Sequence, residues 1–251
     1  MKKKVFLGLA LMAMLAGAAN AQTTFTLKLG GAFPQDDFGQ GDEDRWGLMI
    51  DNSKKGGAGT GFTLGGEWVA PISNINGLGL SVTIDAIYNG LNSDINELFD
   101  DLNLDYEDEV DEFSMSTPKY INIPVMLGLR YSFDLNNGLA IFADGGLGAN
   151  LRIITPFNMH MEEKYDGGRA ETDMTMTFNS AVSFAFRVGA GITINQKYSL
   201  GVDYYALGAS KVKGEEVTES YYNGERDREK EDFKGGKIAP ALLMLRLGIA
   251  L

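Results

Sequence analysis

Cysteine is absent from this chain of 251 residues, and histidine occurs only once. Because a chain without cysteine has no disulfides, its fold must be held by other means, and closure of a β-barrel is one of them. Basic residues are also few: there are 22 lysines and arginines against 34 acidic residues, and the net charge is −12. Nucleic-acid binding needs a basic face that neutralises phosphates, so we expect no nucleic-acid partner.

Long hydrophobic runs are missing beyond the N-terminus. There, Lys2-Lys3-Lys4 precedes a short apolar core, and Ala19-Asn20-Ala21 has the small-x-small pattern of a cleavage site. These features predict a secretory signal peptide at residues 1–21 and a mature domain at residues 22–251. Removal of the signal peptide leaves 19 basic against 34 acidic residues, a net charge of −15. No later stretch approaches 18 continuous apolar residues, so we expect no transmembrane helix.

Motifs for cofactors and metal ions are missing as well. No GxGxxG precedes a helix, and neither GxxxxGK[ST] nor HExxH occurs. Gly145-Gly146-Leu147-Gly148 lies inside a predicted strand, so we interpret it as space for neighbouring side chains rather than a phosphate-binding loop. We therefore expect no cofactor and no catalytic, cofactor-binding or metal-ligating residues of these kinds.

What the sequence has in abundance is alternation of apolar with small or polar residues. Between Ala181 and Leu207 the alternation is interrupted only by the polar turn Asn195-Gln196-Lys197. The apolar row before that turn consists of Val182, Phe184, Phe186, Val188, Ala190, Ile192 and Ile194. A period of two over this length predicts a β-hairpin, and each arm has the ~10 residues with which a tilted strand crosses a bilayer.

The same alternation recurs along the chain. It predicts eight strands, at residues 24–33, 59–70, 77–88, 119–133, 139–153, 181–194, 198–207 and 237–251. Short connections follow strands two, four and six, and long ones follow strands one, three, five and seven, as is typical of outer-membrane barrels with periplasmic turns and extracellular loops. The predicted fold is therefore all-β: an eight-stranded antiparallel up-and-down transmembrane β-barrel with four long extracellular loops. The alternatives are a ten-stranded barrel and a soluble lipocalin-like barrel whose apolar rows face inward.

The long loops hold 29 of the 34 acidic residues, and residues 90–117 contain ten with no base. Because hard cations prefer clustered carboxylates, we expect divalent cations at these loops. One stretch also has the ligand spacing of a calcium loop, at Asp101, Asn103, Asp105 and Glu112. Tyr106 argues against it, since such a loop has glycine at that position.

Two of the long loops show further alternation. Turns near residues 165–168 and 223–224 predict hairpins that continue the strands above the membrane. A third loop, at residues 94–104, has the pattern of a short amphipathic helix.

One segment resembles a known family. Residues 120–131, with the sequence YINIPVMLGLRY, resemble the opening of a central strand in the outer-membrane β-barrel domain family that is frequent in Bacteroidetes-type bacteria. The shared features are an aromatic residue, an aliphatic–polar–aliphatic triplet and a proline. The resemblance implies an eight-stranded barrel in the outer membrane, preceded by a leader and often labelled porin-like. It implies no catalytic residues.

Each predicted strand places one charged residue on its inward row. We call these eight residues the charge belt: Lys28, Glu67, Asp85, Arg130, Asp144, Arg187, Asp203 and Arg246. Four are basic and four are acidic, and their heights along the barrel differ by only about 10 Å. Because side chains just fill the interior of an eight-stranded barrel, we expect ion pairs that close the lumen. The alternative is a narrow water-filled pore lined by the same residues.

These patterns predict the structural class and the cellular location of the protein in more detail than its molecular activity. We expect a non-enzymatic structural or interaction barrel in outer-membrane lipid, with acidic surface loops that meet an extracellular or periplasmic protein. The alternatives are a small porin or channel for ions or small solutes, and a membrane enzyme located at the rim. The enzyme would use His160 as a general base with Asp173 and Ser180 nearby, but no second motif supports a triad, so we favour a surface histidine.

Overall fold

The structure is a computed structural model that describes residues 23–41, 54–97, 110–135, 137–165, 168–222 and 225–251. The predicted signal peptide and residues 101–109 of the candidate calcium loop lie outside these ranges. The described strands are β1 (Thr24–Gln35), β2 (Ala58–Pro71), β3 (Leu78–Leu91), β4 (Glu112–Ser116), β5 (Tyr120–Asp134), β6 (Leu139–Ile154), β7 (Phe157–Tyr165), β8 (Gly168–Phe178), β9 (Ala181–Ile194), β10 (Tyr198–Ala206), β11 (Ser210–Tyr222), β12 (Glu225–Ile238) and β13 (Ala241–Ala250).

Helix is scarce in the described ranges. A single turn, α1 (Asp36–Gly39), follows β1. Residues 93–97 are helical, and this is the described part of the helix predicted at 94–104. No helix in the described part of the chain is long and apolar enough to cross a membrane.

Eight strands close into a barrel in the order β1-β13-β10-β9-β6-β5-β3-β2, and every neighbouring pair is antiparallel. Each barrel strand lies beside the barrel strand that precedes or follows it in the chain, so the topology is up-and-down and the predicted fold class is confirmed. The ten-stranded alternative is wrong, because the additional strands pair outside the barrel.

The last barrel strand also begins at Ala241 rather than at 237. Pro240 has no N–H to donate to a ladder, and it separates β12 from β13.

The apolar rows face outward, as the alternation predicts. Along β9, Val182 and Phe184 expose 71% and 65% of their surface, whereas Ala185 and Arg187 on the alternate row are buried. A monomer in water rarely exposes a continuous apolar band, so this band is the surface that contacts lipid. The lipocalin-like alternative, with its apolar rows inside, is therefore wrong.

The connection between β9 and β10 is a tight turn. Asn195 and Gln196 both have positive φ, at 51° and 54°, and Lys197 N–H donates to the Ile194 carbonyl at 3.0 Å. Two central residues in this conformation form a type I′ turn, whose twist matches that of the flanking strands. The turn therefore fixes the register of β9 against β10.

A second sheet continues from the long-loop end of the barrel. Its order is β12-β11-β8-β7-β4, and we call it the loop sheet. The predicted hairpins β7–β8 and β11–β12 are confirmed. β4 was not predicted as a strand; it is only five residues long and forms the sheet edge against β7.

A buried apolar layer fills the long-loop end of the barrel, and we call it the upper apolar layer. Its members include Ala32, Ala58, Leu91, Tyr120, Ile154, Leu207, Ile238 and Leu242, which lie at or just beyond the ends of the barrel strands. Phe38 of α1 and Ile95 of the second long loop belong to the same cluster and are completely buried. Since these two side chains come from loops, the loops fold inward over the mouth of the barrel.

Candidate functional site

All eight residues of the charge belt point into the lumen. They lie one each on β1, β2, β3, β5, β6, β9, β10 and β13, and none of them exposes more than 7% of its surface. The period of two puts them inside because their chain neighbours occupy the lipid-facing row. The structure therefore brings together every residue of the predicted belt.

Glu67 is the acidic centre of one half of the belt. Its carboxylate accepts a bond from Lys28 Nζ at 2.7 Å and another from Arg187 Nη2 at 2.7 Å. Arg130 Nη1 pairs with the same carboxylate. Three cations thus neutralise one carboxylate that has no exposed surface.

Arg187 links this half of the belt to the other. Besides Glu67, its guanidinium pairs with Asp144 Oδ1 at 3.2 Å and with Asp203 Oδ1 at 3.4 Å. β9 and β2 lie on opposite sides of the barrel, four places apart in the strand order. The Arg187–Glu67 bond therefore spans the lumen rather than following its wall.

Arg246 completes the network. It pairs with Asp203 Oδ2 at 2.7 Å and with Asp85 Oδ1 at 2.9 Å. Tyr205 donates its hydroxyl proton to Asp85 Oδ2 at 2.6 Å. All eight charges are joined in one ion-paired, formally neutral cluster.

Sequence reasoning missed two members of the lumen. Tyr205 lies on the inward row of β10 and is completely buried, but it is uncharged and so does not belong to the predicted belt. Arg152 is a second inward charge on β6, so the expectation of one charge per strand is wrong for β6. It lies above the belt, where it donates to the carbonyls of Ile238 and Ser210 at 3.2 and 3.3 Å. The continued alternation of β6 beyond Asn150 was the signal that could have revealed it.

Glycines beside the belt provide the space it needs. A Cβ added at Gly189 would lie 2.3 Å from Asp203 Oδ1 and 3.0 Å from Asp144 Oδ1. One added at Gly65 would lie 1.9 Å from Asp85 Oδ1. The inward glycines therefore allow the carboxylates to lie against the barrel wall.

The lumen is bounded differently at its two ends. The upper apolar layer lies between the belt and the long loops. At the short-turn end there is an open cavity of about 200 Å³. Its lining includes Thr26, Arg130, Ser132, Thr193 and Ser199. Arg130 belongs to both the belt and this cavity, so the cavity ends at the belt.

The single histidine lies on the loop sheet, outside the lumen. His160 on β7 faces Asp173 across the hairpin, and His160 Nδ1 lies 2.8 Å from Asp173 Oδ1. This hydrogen bond raises the pKa of His160 above its ordinary value of 6.5. The two residues line an open groove of about 490 Å³ together with Ser114, Asn158, Thr175 and Glu219.

The residues of the predicted rim enzyme are only partly brought together. Asp173 contacts His160. Ser180, however, lies beyond Phe178, the last residue of β8, and is therefore at least ~17 Å from Asp173 along the strand. Ser114 lies opposite His160 on β4. Among the described side chains, no hydrogen bond joins His160 to a serine, so the arrangement lacks the nucleophile–base contact of a triad.

Sequence comparison identifies the family. The model described as "Outer membrane protein beta-barrel domain" matches residues 6–225. The chain belongs to this family. Membership implies location in the outer membrane, whereas an origin in Bacteroidetes-type bacteria stays a prediction. No curated protein matches the sequence.

Three solved barrels are similar in structure. A major outer membrane protein from Thermus thermophilus is 14% identical, with 92% of this chain and 100% of that chain covered and a TM-score of 0.41. The translocator domain of the autotransporter NalP from Neisseria meningitidis is 10% identical, with 98% and 95% covered and a TM-score of 0.25. The P. putida toluene transporter TodX is 10% identical, with 95% and 91% covered and a TM-score of 0.21.

Proposed function

We propose that this outer-membrane barrel has a closed lumen and no enzymatic activity, and that it holds the loop sheet at the cell surface for interaction with an extracellular protein. The observation that carries the proposal is Arg187, which has no exposed side-chain surface and pairs with three carboxylates from three different strands. The cluster occupies the space that a solute would have to cross.

A closed lumen and a water-filled pore differ in the hydration of their charged side chains. Charged side chains lining a water-filled pore keep water as a partner, whereas charges without water persist only when they are paired and hydrogen-bonded. All eight belt residues are buried, and every charge has an opposite charge within reach. The upper apolar layer adds a second barrier, because its buried side chains pack across the long-loop end of the lumen. These features favour a closed barrel over the porin alternative.

A flux measurement tests the closed lumen. Folded protein is reconstituted into phospholipid vesicles, and swelling is followed after addition of small sugars, with a general porin as positive control. We expect swelling at the rate of protein-free vesicles. Swelling that increases with the amount of inserted protein would overturn the proposal and favour a small channel.

The orientation of the loop sheet is tested by labelling. Because the chain has no cysteine, a single one can be introduced by Tyr222→Cys in the loop sheet or by Asn74→Cys in a short turn. On intact cells, a membrane-impermeant maleimide should modify the Tyr222→Cys variant only. The Asn74→Cys variant should react only after lysis. The reverse pattern would place the loop sheet in the periplasm.

The interaction role is tested by crosslinking in intact cells. A photo-reactive amino acid replaces Tyr222 in one strain and Asn74 in a matched strain. We expect discrete crosslinked products that form from position 222 and that disappear when the partner cells or matrix are removed. Identical products from both positions, or none from position 222, would contradict a surface interaction.

Binding of calcium or magnesium to the acidic loops stays part of the proposal and is tested by repeating the experiment with a chelator.

A further inference from the structure

The polar face of the loop sheet gathers carboxylates around His160. On the edge strand β4, Glu112 pairs with Glu162 of β7, and Ser114 pairs with His160. Because residues two apart on a strand share a face, Glu112, His160 and Glu162 project on the same side. Each brings one ligand atom, and these three atoms lie within 4.8 Å of one another. We propose that Glu112, His160 and Glu162 bind a zinc-class divalent metal ion, with Asp173 as the residue that positions His160.

The hydrogen bond to Asp173 prepares the histidine for this role. With Nδ1–H donating to Asp173 Oδ1 at 2.8 Å, the lone pair of the ring remains at Nε2. A carboxylate behind a metal-bound histidine fixes the ring orientation and raises its basicity as a ligand. His160 also lies among Glu171 and Asp173, whose oxygens form a second group within 4.8 Å of the ring nitrogen. Since Asp173 holds the ring, Glu171 is the further oxygen ligand close to His160.

The two cations that pair with Glu162 leave it able to bind a metal ion. Its two oxygens pair with Lys164 Nζ at 2.8 Å and with Arg169 Nη2 at 2.7 Å. The side chains of Lys164 and Arg169 are themselves more than half exposed, so they can turn into solvent when a metal ion takes their place. Glu162 itself is nearly buried, which keeps its carboxylate in position.

The ligand types indicate which ion is bound. Imidazole nitrogen together with carboxylate oxygen suits zinc and related transition metals, whereas calcium and magnesium prefer oxygen ligands alone. The site is thus distinct from the calcium or magnesium binding expected from the acidic loops. It would join β4 to β7 and so secure a five-residue edge strand. The inference stands whether or not the lumen conducts.

Zinc titration of the folded, full-length protein, prepared without a histidine tag and stripped with chelator, tests the site. Calorimetry should show one zinc ion bound per chain. His160→Ala and Glu112→Gln should each weaken binding at least about tenfold. The matched control is Glu163→Gln, because Glu163 is exposed on the opposite face of β7 and should leave affinity unchanged. Heat-modifiable gel mobility confirms that each variant is folded.

Two further measurements make the outcome decisive. Asp173→Asn should weaken zinc binding and shift the visible absorption of bound cobalt, since the ring would lose its fixed orientation. Calcium should bind the wild-type chain and His160→Ala with the same affinity. Absence of stoichiometric zinc binding, or zinc affinity that is unchanged in His160→Ala, would overturn the proposal.

Discussion

The charge belt and the loop sheet both contain networks of arginine, lysine and carboxylate, but the two networks differ in burial. Arg187 in the belt has no exposed side-chain surface, whereas the side chains of Arg226 and Lys230 in the loop sheet are 52% and 58% exposed. Buried charges depend on each other because water does not replace a lost partner, while exposed pairs contribute little. We therefore expect the same side-chain chemistry to stabilise the barrel interior in one region and to contribute little to stability at the hydrated surface in the other.

The largest expected difference between the two regions comes from removing one cation. Arg187→Leu leaves Glu67, Asp144 and Asp203 without a shared partner in the lumen. We expect a loss of about 3–5 kcal/mol in the free energy of unfolding. Urea unfolding in phospholipid vesicles, followed by heat-modifiable gel mobility, measures this loss. The matched change Arg228→Leu, on β12, should leave the unfolding midpoint near that of the wild type. Equal losses of stability at both positions would contradict the distinction between buried pairs in the belt and exposed pairs in the loop sheet.

A charge placed on the outer surface distinguishes lipid from water. Val188 lies on the apolar row of β9, so Val188→Arg should destabilise the barrel by about 2–4 kcal/mol near the bilayer midplane. Tyr222→Arg, at an equally exposed position of the loop sheet, should be tolerated because it faces water. The same unfolding assay compares them. If both variants fold like the wild type, the apolar band is not in lipid.

Space in the belt is tested by adding a single methyl group. Gly189→Ala pushes a Cβ against Asp203 and Asp144 and should cost about 1–3 kcal/mol. Gly90→Ala is the control, because a Cβ there has nothing within 4 Å. Gly189→Ala with wild-type stability would mean that the carboxylates have room to move and that the cluster is not tightly packed.

The smallest effect is expected in the loop sheet under acid. The hydrogen bond from Arg226 lowers the pKa of Glu219 below its ordinary value of 4.5. A lowered folded-state pKa contributes stability that is present above 4.5 and is lost as the pH falls through the folded-state value. The protection factors of the β11 and β12 amides, obtained from hydrogen exchange after correction for the intrinsic pH dependence of exchange, should therefore decrease at low pH.

The control for this effect is Glu219→Gln, which should already show faster exchange at neutral pH and a weaker response to acid. If protection from exchange in β11 and β12 changes neither with pH nor with the substitution, the exposed pairs contribute nothing to the stability of the sheet.

Much of the barrel was predictable because local pattern determines it. The alternation of β9 and β10 and the turn Asn195-Gln196-Lys197 fix strand, face and register within one hairpin. The membership of the charge belt follows from the inward rows in the same way. The partners within the belt do not, because Glu67 and Arg187 are 120 residues apart and meet only through the diameter and stagger of the closed barrel.

The loop sheet was less predictable than the barrel. Its hairpins were found, but β4 has only five residues, and its pairing with β7 is a long-range contact without a local signal. The contact of His160 with Asp173 follows from the register of the β7–β8 hairpin, and the same register separates His160 from Ser180. Glu162 lies two residues from His160 on β7 itself, whereas the carboxylate of Glu112 approaches His160 only because β4 docks at the edge.

Single-channel recording of the purified, folded protein in a planar bilayer tests the closed lumen most directly. Insertion is confirmed beforehand by heat-modifiable mobility and by protection of the strands from protease. The buried belt and the upper apolar layer predict a flat baseline at both polarities. Steady, reproducible open-channel steps from the unmodified protein would contradict the closed lumen.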